Sequence, residues 1–465
     1  MSAAQGRFLT GSTMGHVVRM TATGAIGITF VFAVDAVNLF WLSMLGQEIL
    51  MTAVGYAFAI QFFVVSTGVG VMIAMTAMVS RSIGAGHRDV ARRQATSGIL
   101  YNCLVQALAA GLAIGFRHDL LVLLGAEGAA LELAARYIAL SMPSIVFMAI
   151  GLSGSATLRA EGDGRRAMQV TLIGGVVLLA VDPIFIVVMG MGLDGAALGI
   201  WIFRTTMAAL ALYYCTVSHR LLARPSGRDM AACGLPLAAI AVPAVATQLA
   251  TPFGNALLTS VVAKFGDSAV AGWAVVNRLT VVAFGGLFAL GGAIGGIFGQ
   301  NFGAHQFDRL RQTFRDAVVF CLGYTGAVWL ILMAFSNQIA VRFGLGPEAS
   351  DVLRAFTHVG AMSFMLGGLL FVANSAFNSL GRPILASALS WLREGVLILP
   401  VALWLATIYD ARGVIYAQAL VGAGMGGLAG WLGYRFVTGL RGNPTSELDL
   451  ATSASYAVPT RNRRR

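Results

Sequence analysis

Residues Gly24–Leu45 read GAIGITFVFAVDAVNLFWLSML, and Val170–Gly190 read VTLIGGVVLLAVDPIFIVVMG. Each is an apolar run long enough to cross a bilayer as a helix, because about 20 residues at 1.5 Å rise span the roughly 30 Å hydrocarbon core. Each also carries one carboxylate near its middle, Asp35 in the first and Asp182 in the second. An acid at that depth costs roughly 2.5–3.5 kcal/mol on insertion scales. Such residues face a protein interior or a wet cavity, and they mark function.

Similar runs recur outward from these two along the whole chain. The 465 residues are 57% hydrophobic and only 11% charged, against about 25% charged in ordinary soluble domains. There is too little charge to cover a water-facing surface. The 57 glycines suit helices that approach closely in lipid. Spans are expected at about 16–44, 50–79, 94–116, 129–157, 167–190, 195–217, 236–263, 268–296, 316–336, 352–378, 384–407 and 413–437. The reading is an all-α polytopic membrane protein of twelve transmembrane helices. The first span is full-length, so it is read as an anchor and not as a removed signal peptide.

The net charge of +11 does not point to nucleic acid, because the arginines cluster in short segments between apolar runs. Alternate loops are arginine-rich (residues 81–93, 159–166, 218–229 and 300–315) or nearly neutral (45–49, 117–128, 192–195, 264–267 and 409–413). The positive-inside rule makes the first set, and with it both termini, cytoplasmic. The inner (plasma) membrane is the expected location. Residues 441–465, ending Arg461-Asn462-Arg463-Arg464-Arg465, read as a basic disordered tail near anionic lipid. Cys103, Cys215, Cys233 and Cys321 have no metal-type spacing and read as small core residues.

The chain is duplicated. Ile83-Gly84-Ala85 matches Phe302-Gly303-Ala304, and Gly162 matches Gly381, both at an offset of 219 residues. Leu45-Gly46 falls on Phe265-Gly266 at 220, and Gly195 on Gly413 at 218. Two six-helix lobes, 1–218 and 236–440, are therefore expected, joined by a cytoplasmic linker at 219–235. Six is even, so the lobes share one orientation and are related by a pseudo-twofold axis along the membrane normal.

With these motifs in place, the chain resembles the multidrug and toxic compound extrusion (MATE) family over nearly all of residues 10–440. Val79–Arg93 (VSRSIGAGHRDVARR), Leu158–Met168 (LRAEGDGRRAM) and Leu179–Gly199 (LAVDPIFIVVMGMGLDGAALG) carry the likeness in the first lobe. Gly234-Leu235-Pro236, Phe265–Leu279 (FGDSAVAGWAVVNRL) and Gly299–His305 (GQNFGAH) carry it in the second. The resemblance implies a secondary antiporter that exports organic, often cationic, compounds against Na⁺ or H⁺. Its two lobes enclose a V-shaped central cavity.

Counted from the outer ends of their spans, Asp35, Gln61, Asp182 and Arg204 share a layer roughly 12–17 Å deep. The resemblance marks Asp182, through Asp182-Pro183, as a member of the cation-binding set. The family's first-helix acid position falls on Asn38, with Asp35 one turn earlier. Its usual asparagine and threonine ligands are Leu178 and Ile200 here, which favours H⁺ over Na⁺ at Asp35 and Asp182. The Arg204 position is more often a neutral Gln, and an ion pair between Arg204 and one aspartate is the competing structural role.

The second lobe aligns Asn255 with Asp35 and Leu399 with Asp182, and it has Ala244 and Gly367 near the acids of other family branches. Coupling is therefore expected in the first lobe alone. Asn255, Arg278 and Glu394 are the candidates for lining a substrate cavity, although Arg278, Arg393 and Glu394 would also satisfy one another's charge. Phe30, Phe32, Phe40, Trp41, Met148, Phe284 and Met362 are candidates for an apolar wall, against ordinary packing.

The expected function is export of organic compounds against H⁺ or Na⁺, by a monomer without a cofactor. The alternative is export or flipping of an anionic metabolite or lipid-linked precursor. Small molecules and lipid are the partners, not nucleic acid. An integral-membrane enzyme finds no support, because there is no H-E-x-x-H, nucleophile elbow or ATP-binding loop.

Overall fold

The computed structural model describes residues 6–440, except the side chains of Phe32, Asp35, Ala36 and Glu48. The expected basic tail at 441–465 lies outside the described residues. Among the described residues there are twelve long helices. In the first lobe they are α1 (Thr13–Ser43), α2 (Glu48–Gly84) and α3 (Arg88–Gly115), then α4 (Gly128–Glu161), α5 (Gly164–Val188) and α6 (Gly192–Ser218). In the second they are α7 (Gly227–Phe265), α8 (Asp267–Ala283 continued by Gly285–Gly303), α9 (Phe307–Ala334), α10 (Pro347–Leu380), α11 (Pro383–Tyr409) and α12 (Ala411–Gly439). Among the described residues there is no strand.

Two boundaries differ from the sequence expectation. Helix α7 already starts at Gly227, inside the stretch 219–235 read as linker. Only residues 219–226 are non-helical, and the helix runs on through Pro236. The neutral loop 117–128 contains a short helix, Arg117–Leu123, and its counterpart Ser336–Arg342 lies at the same place in the second lobe.

The duplication is visible in the backbone. Gly162 and Gly381 both end their helices in the left-handed conformation, at φ 94° and 95°, which an L side chain rarely adopts. Gly84 and Gly303 lie where α2 and α8 cross. A Cβ on Gly84 would overlap the Gln300 carbonyl, and one on Gly303 would overlap the Arg81 carbonyl. The same exchange governs two hydrogen bonds between lobes. Arg81 Nε donates to the Ser379 carbonyl at 2.8 Å, and Gln300 Nε2 donates to the Ala160 carbonyl at 2.6 Å. Residues 81 and 300, and 160 and 379, are related by the sequence offset of 219. A twofold axis therefore passes between α2 and α8 at the arginine-rich end.

The lobes touch along the half of the molecule nearest that end. Gly24 of α1 meets Ala289 of α8, and Gly70 of α2 meets the backbone of Val245 of α7. Residues 6–11 lie across the closed end, with Phe8 buried. Phe8 N–H donates to Gln300 Oε1 at 3.0 Å, and Arg309 donates to the carbonyls of Phe8 and Gly11.

Candidate ion-coupling site

Helix α5 starts at an Asp163 cap, whose Oδ1 accepts from Arg166 N–H at 3.1 Å, and stays regular up to Pro183. Proline lacks an N–H and cannot continue the ladder, and the next five residues, Ile184–Val188, widen into a π-turn. Such bulges re-aim side chains and recur at functional sites. Asp182 stands immediately before this irregularity and is fully buried.

One carboxylate oxygen is satisfied and the other is not. Asn38 Nδ2 of α1 donates to Asp182 Oδ2 at 2.6 Å. Asp182 Oδ1 takes no hydrogen bond among the described residues. It faces α6 at Gly199, where a Cβ would overlap it. Leu178 lies on the same spot, with Cδ1 3.0 Å from that Cβ position. The α1 residue that meets Asp182 is thus Asn38, at the position where the family resemblance put an acid. The Asp35 side chain lies outside the described residues.

Arg204 of α6 is buried at the same level but is held elsewhere. Its Nη1 donates to the Ser141 carbonyl at 2.9 Å and to Ser144 Oγ at 2.7 Å. Its Nη2 donates to Gln61 Oε1 at 3.2 Å, and Gln61 Nε2 donates to Ser141 Oγ at 2.8 Å. The cause is local. Pro143 breaks α4 into a 3₁₀ turn at Met142–Ser144, which frees carbonyl oxygens that a guanidinium fork can collect. Asp182 is not among the described partners of Arg204, and the side chain of Asp35, the other aspartate with which an ion pair was expected, lies outside the described residues. Ser141 and Ser144 were missed by sequence reasoning, although Ser141-Met142-Pro143-Ser144 is a helix-breaking signal flanked by hydroxyls.

One turn nearer the arginine-rich end, Asn102 and Gln106 of α3 line a small recess with Val65, Gly68 and Met148. Gln106 Nε2 donates to the Val64 carbonyl at 3.0 Å.

The second lobe is arranged differently. Asn255 and Arg278 are exposed, and Glu394 is buried at 8% exposure. Arg393 Nε stands 3.4 Å from Glu394 Oε1, whereas Arg278 has no ion pair among the described residues. The three residues therefore do not satisfy one another as a group. Arg278 lies seven residues before Gly285, which faces Thr29 of α1. A 43° bend at Phe284 separates the two, and Arg278 itself is exposed on the Asp267–Ala283 stretch. In the first lobe, exposed Phe63 lies seven residues before Gly70, the glycine that meets α7. Phe284, by contrast, is core, stacked on Phe364 at 4.2 Å.

The MatE family model matches this chain twice, over residues 24–184 and 243–404. The chain belongs to the MATE family. The two matches start at the spacing of the duplication, so each covers one lobe. A crystal structure of a mutant of the Vibrio cholerae MATE transporter VcmN superposes with a TM-score of 0.87 at 26% identity, covering 94% of this chain and 98% of that one. A Shewanella oneidensis protein named FAD transporter is 26% identical over 428 residues, 90% of this chain and 94% of its own length. The Staphylococcus aureus multidrug export protein MepA is 22% identical over 82% of this chain and 84% of its own. This MATE protein is a multi-pass membrane transporter and not an enzyme.

Proposed function

We propose that this MATE protein is a proton-coupled antiporter that exports organic solutes across the plasma membrane as a monomer, with both termini cytoplasmic. Asp182 carries the reading. A fully buried carboxylate with one oxygen lacking any donor is costly as an anion, and binding a proton removes that cost. Sodium fits less well, because hard cations collect several oxygens and the wall beside Asp182 Oδ1 is Leu178 and Gly199. Protonation changes what Asp182 demands of α1 and α6, and so biases the packing of the first lobe between inward- and outward-open states.

The test is efflux of a cationic dye from proteoliposomes with pH and Na⁺ gradients imposed separately. A pH gradient alone should drive transport, and Asp182→Asn should abolish the drive. Transport driven by Na⁺ alone, or full activity in Asp182→Asn, overturns the reading.

A second reading concerns the solute. Arg278 of α8 and Phe63 of α2 are both exposed, and a relative is named FAD transporter. A guanidinium and aromatic rings suit an anionic, aromatic-bearing metabolite. If so, flavin nucleotides should compete with the dye, and Arg278→Gln should weaken that competition without changing dye efflux.

A further inference from the structure

The second lobe was expected to lack a coupling acid, because Asn255 and Leu399 replace Asp35 and Asp182. Its geometry contains one at a shifted register. In the first lobe, α5 meets α1 where Gly175 packs on Phe30 and Val34, with Phe30 Cε1 2.5 Å and Val34 Cγ2 3.0 Å from a Cβ built on Gly175. The duplication maps Gly175 onto Glu394 of α11 and Val34 onto Gly254 of α7. At that mapped contact the order of sizes is reversed. Gly254 now supplies the space, and Glu394 fills it, with its Cβ and Cδ 3.0 and 3.1 Å from a Cβ built on Gly254 and its Oε2 closer still.

Glu394 therefore occupies the helix-5/helix-1 seam of its lobe, as Asp182 does in the other. Relative to Leu399, the counterpart of Asp182, it sits five residues nearer the arginine-rich end, about 8 Å along the helix. Conversely, the Asp182–Asn38 contact maps onto Leu399 and Leu258, the latter fully buried. Each lobe thus has one buried acid on this seam, at different depths.

The two acids share a construction. Each lies beside a π-turn, Ile184–Val188 after Asp182 and Leu392–Leu397 around Glu394. Each turns one oxygen to a nitrogen, Asn38 Nδ2 or Arg393 Nε. Each presses the other oxygen against a glycine of the neighbouring helix, Gly199 or Gly254. Arg393 Nε forms no hydrogen bond, so the adjacent charge compensates Glu394 without occupying Oε2. No other acid, lysine, arginine or histidine lies on the facing stretches 236–262 of α7, 361–380 of α10 or 413–433 of α12. The one other titratable group there, Tyr416, packs on Tyr409 at the far end of α11.

We propose that Glu394, seated against Gly254 between α7 and α11, is a second proton-binding site, so that each lobe carries its own. The transported proton adds to Oε2 and leaves from it, with no other bond changed. The proposal rests on the antiport reading for its coupling role, but the protonation itself is read separately.

Infrared difference spectra after a pH step, on the purified full-length protein in lipid, should show a protonated-carboxyl band lost in Glu394→Gln and kept in Asp182→Asn. In proteoliposomes the null potential for a cationic dye should report one proton fewer per dye in Glu394→Gln, and the wild-type count in Glu394→Asp. An infrared spectrum unchanged by Glu394→Gln, or an unchanged proton count, overturns the proposal. If Arg393 left unpaired prevents folding, Arg393→Gln with Glu394→Gln removes the orphan charge and allows the same two measurements. If wild-type protein shows no pH-driven dye efflux, the antiport reading fails, and the infrared comparison still decides Glu394.

Discussion

Replacing Gly84 by alanine should open the arginine-rich end of the transporter. A Cβ there would lie 2.6 Å from the Gln300 carbonyl carbon and 2.7 Å from its Cα. Comfortable carbon contacts begin near 3.5 Å, and neither backbone can rotate away, so α2 and α8 must part by about 1 Å. Two cross-lobe bonds lie beside this point, Gln300 to Ala160 at 2.6 Å and Arg81 to Ser379 at 2.8 Å. Adding that displacement carries both beyond the hydrogen-bond limit. A neutral bond contributes about 0.5–1.5 kcal/mol and one from a charged donor about 1.5–3 kcal/mol. The closed arrangement then loses about 2–4.5 kcal/mol, roughly a 30- to 1,500-fold shift in the equilibrium at 1.4 kcal/mol per decade. Spin labels at Asp89→Cys and Asp308→Cys, twofold-related and with side chains 87% and 97% exposed, would report the distance across the closed end. Gly84→Ala should add a long-distance population that the wild type lacks. Gly111→Ala, whose Cβ meets nothing within 4 Å, should not. An unchanged distribution in Gly84→Ala would refute the claim that these glycines and the paired hydrogen bonds hold the end shut.

Three further outcomes follow from the same geometry. Gly199→Ala puts a methyl onto Asp182 Oδ1 and Leu178, so pH-driven efflux should fall at least about tenfold while thermal unfolding moves by only a few degrees. Arg204→Ala strips the Ser141 carbonyl, Ser144 and Gln61 of their donor, and should cost about 2–4 kcal/mol in unfolding experiments. Asp163 lies outside the spans, and burial alone would raise its carboxyl. The Arg166 N–H, the His219 ring and the Arg7 charge outweigh burial and hold it below the usual range. A depressed folded-state value stabilises above the unfolded value of about 3.9 and is lost as pH falls through the folded one. Asp163→Asn should therefore melt earlier than wild type at neutral pH, with the difference shrinking below about pH 4.

Much of this was legible in the chain, for identifiable reasons. The twelve helices follow from run length, and the duplication from glycines that recur because the backbone needs them. Gly84 and Gly303 recur because two helices cross there, and Gly162 and Gly381 because a left-handed turn ends each helix. Asp182 was legible because an acid in an apolar run is rare. The partners of Arg204 were not, because helix periodicity does not show which carbonyls a proline frees. Nor was the contact between Glu394 and Gly254. Matching like residue with like residue across the repeat finds Asn255 and Leu399, and overlooks an acid moved to another turn of the corresponding helix.

That displacement bears on how one proton site could drive a shared gate. The closed end is symmetric, since the two cross-lobe bonds and the two glycine crossings exchange under the twofold. The acids are not, since Asp182 and Glu394 lie at different depths on corresponding helices. A symmetric gate alone gives neither lobe priority, and loading either site would strain it equally. With the acids offset by about 8 Å, Glu394 stands nearer the closed end and Asp182 nearer the mouth. A proton arriving from the open mouth reaches Asp182 at a shallower depth than Glu394, whereas opening of the other end reverses that order. Moving the second acid by Glu394→Gln with Leu399→Glu should equalise the depths. It should preserve the number of protonatable carboxyls in the infrared spectrum while reducing the difference in pH dependence between inward- and outward-facing proteoliposome populations. If that difference persists, depth does not set the order of protonation.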